Sequence, residues 1–191
     1  MDSHLLEAHI RDLLAGKSRV LVALDGMSAS GKTTLAGALA RRFPSCAVVH
    51  MDDFTIPFED RFPGYFDAQL SNADVGRFDR EVLTPLQLGR DACYRPYVCH
   101  PEPGFLAPVT VAAQSRLVIF EGAYCLHPQL FERYDLRVLC TVSPEVQRRR
   151  ILERNGSAQL ERFERLWIPM ENRHIQAHSL AGRCDLILSG D

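Results

Sequence analysis

Residues 26–33 read Gly-Met-Ser-Ala-Ser-Gly-Lys-Thr, which is the complete G-x-x-x-x-G-K-[ST] spacing of a phosphate-binding loop. The apolar, β-branched run at 18–24 before it predicts a buried strand, and the Ala/Leu-rich run at 34–42 after it predicts a helix. In that context the backbone N–H groups of the loop and the positive end of the helix face phosphate oxygens. The pattern therefore predicts a nucleoside triphosphate site.

The loop also supplies the candidate nucleotide-binding residues. Lys32 can reach the β- and γ-phosphates, and the Thr33 hydroxyl can ligate Mg²⁺. The remaining candidates are loop and first-turn residues that can contribute backbone N–H groups: Gly26, Ser28, Ala29, Ser30, Gly31 and Thr34. The loop alone does not separate a kinase from an ATPase motor or a switch GTPase.

Length and composition favour one globular domain, spanning residues 1–191. The chain is 46% hydrophobic and 24% charged, as in ordinary globular proteins, and is long enough for one substantial core. Its net charge of −2 gives no electrostatic reason to expect nucleic acid or a membrane as partner. The first residues lack a signal-peptide pattern, and the six cysteines form no C-x-x-C pair. We therefore expect a cytoplasmic protein.

Apolar segments alternate with helical ones and predict an α/β fold with a five-stranded, mainly parallel sheet covered by helices on both faces. The predicted strands lie near residues 18–24, 46–51, 116–120, 136–142 and 185–188. Around them we expect an N-terminal helix over 1–16, an irregular acceptor-binding region over about 55–110 and an Arg-rich lid over about 144–156.

Three local expectations complete the fold prediction. Pro85 should bend or break a helix over 78–89. Residues 94–104 are expected to form a loop, and residues 127–134 a short helix.

Acidic residues follow three of the predicted strands. Asp25, the pair Asp52 and Asp53, and Glu121 all come where a strand ends, and parallel strands present their carboxyl ends at one edge. Glu121 could hold Mg²⁺ together with Thr33, or be a solvated turn residue. One of the two neighbouring aspartates could take the proton of a substrate hydroxyl, or could cap a turn.

A basic segment follows the fourth predicted strand. It contains Arg148, Arg149, Arg150 and Arg154. Guanidinium groups suit the neutralisation of charge during phosphoryl transfer, although most charge runs are solvated faces.

The ordered motifs resemble the uridine kinase-like branch of P-loop kinases, which includes uridine–cytidine kinases, phosphoribulokinases and bacterial pantothenate kinases. The resemblance covers about residues 18–188 and is carried, in order, by GMSASGKTTLA, HMDDF, NADVGRFDREVLTPL, YRPY, IFEGAY, RRRILERNG and WIPME. It implies a kinase-type P-loop NTPase fold, ATP and Mg²⁺ as cofactors, and transfer of a phosphoryl group to a small-molecule acceptor. The family is often oligomeric, so a homo-oligomer is a possible partner state.

The resemblance also implies catalytic roles. Asp52, the first acid of Asp-x-Phe, would be the general base, and Glu121 of Phe-Glu-Gly would help to hold Mg²⁺. Arg150 and Arg154 would act with Lys32 on the transferring group. Arg149 would contact the nucleotide from the lid.

The acceptor side follows from the same resemblance. Asp74 in Asn-Ala-Asp would hold ribose hydroxyls, and Tyr97 in Arg-Pro-Tyr would pack on a base. Asp53 and Phe54, which adjoin the general base, would also contact the acceptor, and His100 could contact a base. The favoured acceptor is therefore the 5′-hydroxyl of uridine or cytidine.

Departures from the family pattern keep other acceptors open. Val98, rather than the usual aspartate, follows Tyr97; Ala73 stands where an aromatic is usual; and Thr55 replaces a tyrosine. Pantothenate, a sugar or a sugar phosphate remain alternatives. A nucleotide-binding switch or sensor is the alternative from another class, although the guanine-reading Asn-Lys-x-Asp and the transporter signature Leu-Ser-Gly-Gly are absent from the sequence.

Overall fold

The computed structural model of the chain describes residues 3–61, 71–99 and 101–191. Its strands are β1 (Val20–Gly26), β2 (Cys46–His50), β3 (Ala92–Tyr94), β4 (Tyr97–Val98), β5 (Gly104–Phe105), β6 (Val109–Val111), β7 (Leu117–Glu121), β8 (Leu136–Thr141) and β9 (Leu186–Ser189). Five of them form the central sheet in the order β2-β7-β1-β8-β9. Every pairing within this sheet is parallel. The five-stranded parallel sheet predicted from the sequence is confirmed.

The helices are α1 (His4–Gly16), α2 (Lys32–Arg42), α3 (Val75–Phe78), α4 (Thr84–Gln87), α5 (Pro144–Asn155), α6 (Ser157–Arg162), α7 (Ile168–Ala177) and α8 (Leu180–Arg183). Short 3₁₀ helices lie at Met51–Phe54, Phe58–Asp60 and Phe131–Arg133, and π-helical turns at Asp79–Leu83 and Phe163–Trp167. Within the described ranges, no helix combines the length and the apolar character that crossing a membrane requires.

The sheet buries both of its faces. Strand β1 alternates, so that Val22 and Leu24 pack with α1 and α2 residues, while Leu21 and Ala23 face the opposite core cluster. The first cluster includes Leu6 and Ile10 of α1 and Leu35 and Leu39 of α2. The second includes Phe54, Phe78 and Phe120. This two-sided burial accounts for the continuous apolar runs of the central strands.

Of the expected bend or break at Pro85, the break does not occur, but the helical run is irregular. The π-helical turn Asp79–Leu83 leads directly into α4, where Pro85 occupies the first turn. A proline is tolerated there because its missing N–H is not needed by the new helix, and a π turn absorbs the mismatch.

Of two further local predictions, one was wrong and the other holds only in part. Residues 94–104 contribute the short strands β4 and β5, which pair antiparallel, rather than an open loop, and β3 pairs with β6. The helix expected over 127–134 is reduced to the 3₁₀ turn Phe131–Arg133. Both segments are too short for periodicity to separate these outcomes.

Candidate active site

The phosphate-binding loop joins β1 to α2. Gly26 has a φ of 130°, and a Cβ atom there would lie 2.0 Å from the carbonyl oxygen of Cys140 in β8. Gly31 has a φ of 95° at the N-terminus of α2. The first glycine therefore permits close packing against the sheet, and the second permits the left-handed turn into the helix.

Lys32 lies folded back over the loop. Its Nζ donates to the carbonyl oxygens of Gly26 and Met27, both at 2.8 Å, and the residue is only 8% exposed. A cavity of about 550 Å³ opens beside it. The cavity is lined by Ala29, Ser30, Gly31, Lys32, Thr33, Thr34, Arg150, Arg154 and Gly190, among others. Most of the predicted nucleotide-binding residues thus share one cavity, whereas Gly26, Ser28 and Arg149 do not line it.

Thr33 and Glu121 meet at the carboxyl edge of the sheet. The Thr33 hydroxyl lies 3.1 Å from each carboxylate oxygen of Glu121, which is buried. Mg²⁺ prefers oxygen ligands and takes only a few of them from a protein, because phosphates and water complete its coordination shell. The Thr33 hydroxyl and the Glu121 carboxylate are ligands of this kind. The residues therefore fit the predicted magnesium site.

His50 adds a contact that the sequence reasoning missed. Its Nδ1 lies 2.5 Å from Glu121 Oε1, and this hydrogen bond raises the pKa of His50. A histidine orienting a metal-binding carboxylate is a common outer-shell arrangement. The only signal was its position directly before the Met-Asp-Asp-Phe segment.

The structure distinguishes Asp52 from Asp53. Tyr94 Oη donates to Asp53 Oδ2 at 3.1 Å, and Arg77 donates to the Asp53 carbonyl oxygen at 2.6 Å. The Asp52 carboxylate makes no hydrogen bond to the described part of the chain and is open to solvent. Nearby protein atoms nevertheless desolvate this carboxylate, which raises the pKa of Asp52. The negative charge of Glu121 is the second largest cause of the rise.

Arg150 contacts the loop directly. It donates to the carbonyl oxygens of Ala29 at 3.1 Å and Gly190 at 2.7 Å. Arg154 lines the same cavity. Arg148 pairs with Glu164 at 2.6 Å, and Arg149 is exposed. Helix α5 is seen in a single position, so a mobile lid remains a prediction.

A solved structure from Bacillus stearothermophilus, described as a possible uridine kinase, has a TM-score of 0.66 at 20% identity and covers 96% of this chain and 99% of that one. A Schizosaccharomyces pombe protein with a provisional uridine kinase name is 29% identical over 164 residues, covering 75% of this chain and 69% of that protein. Human (Homo sapiens) nicotinamide riboside kinase 2 is 46% identical over 39 residues, which span 20% of this chain and only 17% of that protein. No protein-family model matches the chain.

The chain has the P-loop kinase fold. The nearly complete mutual coverage of the two structures supports this assignment and confirms, at the level of the fold, the resemblance to uridine kinase-like proteins. In this P-loop kinase fold, β1, β2 and β7 bring the loop, the Asp52 segment and Glu121 to one edge.

On the acceptor side of the P-loop kinase fold, Asp74 begins α3. Its Oδ1 accepts the N–H of Arg77 at 2.8 Å, so this carboxylate caps a helix. Within the described residues no hydrogen bond to the other carboxylate oxygen is seen, and an acceptor-binding role for Asp74 stays a prediction.

The aromatic candidates are less accessible than predicted. Phe54 is fully buried, with its ring centroid 5.1 Å from that of Phe78 and 4.8 Å from that of Tyr94. This placement contradicts a direct contact between the Phe54 side chain and an acceptor, because core packing occupies the ring.

Tyr97 is 3% exposed and its hydroxyl accepts the N–H of Phe58 at 3.3 Å. Stacking of Tyr97 on a base would therefore require the Phe58–Asp60 segment to move. His100 lies outside the described residues.

Proposed function

We propose that this protein is an ATP- and Mg²⁺-dependent kinase that phosphorylates a hydroxyl group of a small molecule. The observation that carries the proposal is the convergence at one sheet edge of a phosphate-binding loop, the Thr33–Glu121 pair and the Asp52 carboxylate, which has no hydrogen-bond partner among the described residues. These are the parts that phosphoryl transfer needs: a phosphate cradle, metal ligands and a base.

The proposed chemistry assigns the proton to Asp52. The carboxylate orients the acceptor hydroxyl and takes its proton as the oxygen attacks the γ-phosphorus in line, and ADP leaves. Lys32 leaves its two loop carbonyls to contact the β- and γ-phosphates, and Arg150 and Arg154 add positive charge at the cavity wall. Mg²⁺ held by Thr33 and Glu121 supplies further charge neutralisation when bound. The raised pKa of Asp52 makes it a better proton acceptor than an ordinary aspartate.

The proposed acceptor is a ribonucleoside, with the 5′-hydroxyl of uridine or cytidine favoured. Asp74 would bind the ribose hydroxyls, within an acceptor region over about 55–110 of a single domain. The names of two sequence relatives support this class, since one is provisionally a uridine kinase and the other a nicotinamide riboside kinase. The second name also favours nicotinamide riboside as a candidate substrate.

The first experiment measures ADP release from Mg-ATP with the purified full chain. The acceptors are uridine, cytidine, nicotinamide riboside, pantothenate and ribulose 5-phosphate, beside a reaction without acceptor. We expect release that depends on a nucleoside. Release with pantothenate or the sugar phosphate alone would replace the acceptor class, and acceptor-independent release would indicate an ATPase.

The Asp52→Asn variant tests the catalytic assignment. We expect phosphoryl transfer to fall at least about a hundredfold, because the base is lost, while Mg-ATP affinity stays within about threefold. Asp53→Asn is the matched control, because the Asp53 carboxylate already accepts a hydrogen bond from Tyr94. This variant should retain much more activity than Asp52→Asn. Wild-type turnover in Asp52→Asn would show that the base is elsewhere.

A further inference from the structure

Helix α7 presents two buried polar side chains to the phosphate-binding loop. Glu171 and His174 are three positions apart and therefore lie on the same face of the helix. They are 6% and 1% exposed. Neither lines the cavity beside the loop, so neither is placed to touch the phosphates.

Glu171 holds Ser28, the third residue of the loop. The Ser28 N–H donates to Glu171 Oε2 at 2.8 Å, and the Ser28 hydroxyl donates to Oε1. Gln147 of α5 donates to the Ser28 carbonyl oxygen at 2.9 Å. No described basic side chain forms an ion pair with Glu171, and burial raises the pKa of this carboxyl group. Ser28 is thus the main polar partner of a buried carboxyl group, which couples the loop to α7.

His174 reaches the loop through Asp25. The Asp25 carboxylate accepts the N–H groups of Gly26 at 2.5 Å, Tyr124 at 3.0 Å and Leu126 at 2.7 Å. His174 Nε2 lies 3.2 Å from Asp25 Oδ2 and is the donor in this contact, because an ionised carboxylate only accepts.

Asp25 therefore links two parts of the site. One is the first glycine of the loop, and the other is the segment that follows Glu121. Tyr124 in that segment has a φ of 74°, a conformation that a bulky residue adopts only when its surroundings impose it. The three N–H bonds to one carboxylate supply that constraint.

We propose that Glu171 and His174 are positioning residues for phosphoryl transfer. Through Ser28 and Asp25, α7 holds the phosphate-binding loop and the Glu121 segment in the relative arrangement that receives Mg-ATP. The expected effect on phosphoryl transfer rests on the proposed function. The direct readout of the inference is the affinity for nucleotide, which does not depend on turnover.

Paired variants separate positioning from packing at His174. His174→Gln removes the ring but keeps an N–H donor that can reach Asp25, whereas His174→Phe keeps a ring of similar volume against Tyr124 and removes the donor. We expect His174→Phe to weaken Mg-ATP binding about tenfold, and His174→Gln to remain within about threefold of wild type. A role in packing alone predicts the opposite order.

Glu171 is tested through its partner. Glu171→Gln should weaken Mg-ATP binding about tenfold, because the amide offers one acceptor in place of two. Ser28→Ala removes the hydroxyl donor while keeping the N–H, and the Glu171→Gln effect should be smaller in its background. Gln176→Ala, at an exposed position of the same helix, is the control and should bind as wild type.

The measurement is calorimetric titration of each full-length variant with Mg-ATP, at a temperature where thermal unfolding shows all variants folded. The proposal is supported if His174→Phe, which lacks the N–H donor, binds Mg-ATP more weakly than His174→Gln. It is further supported if the affinity losses of Glu171→Gln and Ser28→Ala are not additive. Wild-type affinity in Glu171→Gln and His174→Phe, even with lowered stability, would overturn it. A protein that binds Mg-ATP but phosphorylates no acceptor would refute the proposed function and leave this affinity test intact.

Discussion

Gly190 shows how a residue near the end of the chain shapes the phosphate-binding loop. A Cβ atom on Gly190 would lie 2.2 Å from the carbonyl oxygen of Ser30. Its own carbonyl oxygen accepts a hydrogen bond from Arg150 at 2.7 Å, and its N–H donates to Thr141 at 2.8 Å. The backbone of residue 190 is therefore a wall of the nucleotide cavity, where no side chain fits.

Gly190→Ala is expected to weaken Mg-ATP binding at least several-fold. The added methyl group must displace the Ser30 backbone, and such overpacking costs about 1–3 kcal/mol. Gly182→Ala is the matched control, because nothing lies within 4 Å of a Cβ at that helical position. Titration with Mg-ATP and thermal unfolding of both variants check the prediction, and equal affinities for the two would contradict it.

Asp74, at the start of α3, caps this helix and is also the proposed ligand of the acceptor. Asp74 caps this helix by accepting the Arg77 N–H, and its own N–H donates to the Phe54 carbonyl oxygen at 2.6 Å. The cap thereby ties α3 to the 3₁₀ helix that carries Asp52. A loss of activity on changing Asp74 could therefore arise from the helix or from the acceptor.

Two substitutions of Asp74 separate these contributions. Asn is as good an N-cap as Asp, so Asp74→Asn should leave the free energy of unfolding nearly unchanged, whereas Asp74→Ala should lower it by about 1 kcal/mol. If Asp74 binds the acceptor, both variants should raise the KM for the nucleoside about tenfold. Urea unfolding and steady-state kinetics measure the two effects. An unchanged KM in Asp74→Asn would leave Asp74 as a cap alone.

In the folded chain, histidines from three separate positions pack together: His127 after β7, His174 in α7 and His178 just after α7. The ring centroid of His178 lies 5.1 Å from that of His174 and 6.1 Å from that of His127. Burial, with the neighbouring histidines, lowers the pKa of His127 from its ordinary 6.5 to about 4. Burial also lowers the pKa of His178. The folded protein therefore resists protonation of His127 and His178.

This cluster predicts a loss of stability in mild acid. Between pH 6.5 and about 4 the unfolded chain binds a proton at His127 that the folded protein does not, so the free energy of unfolding falls as the pH falls. Urea unfolding at several pH values across this range measures the slope. His127→Asn should reduce the slope, and a slope identical to that of the wild type would contradict the assignment.

The loop, the sheet and the edge that carries the site were all predictable from the sequence. The glycine spacing of residues 26–33 and the apolar runs of the five strands are local properties, and strand polarity then places Thr33 and Glu121 at one edge. The burial of single aromatic residues was less predictable, because the sequence around Phe54 is compatible both with a core position and with a pocket lining.

Spacing and periodicity along the chain are enough to predict the strand–loop–helix unit, the parallel α/β architecture and the identity of the acidic residues at the strand ends. The packing of distant segments decides the rest: among the described residues the Asp52 carboxylate has no hydrogen-bond partner while Asp53 is bound by Tyr94, His50 contacts Glu121, and Glu171 and Gly190 meet the loop. Such contacts join residues as far apart as Ser28 and Glu171, which are 143 positions apart. No local pattern encodes them, because they arise only when α7 and the end of the chain pack against the completed sheet.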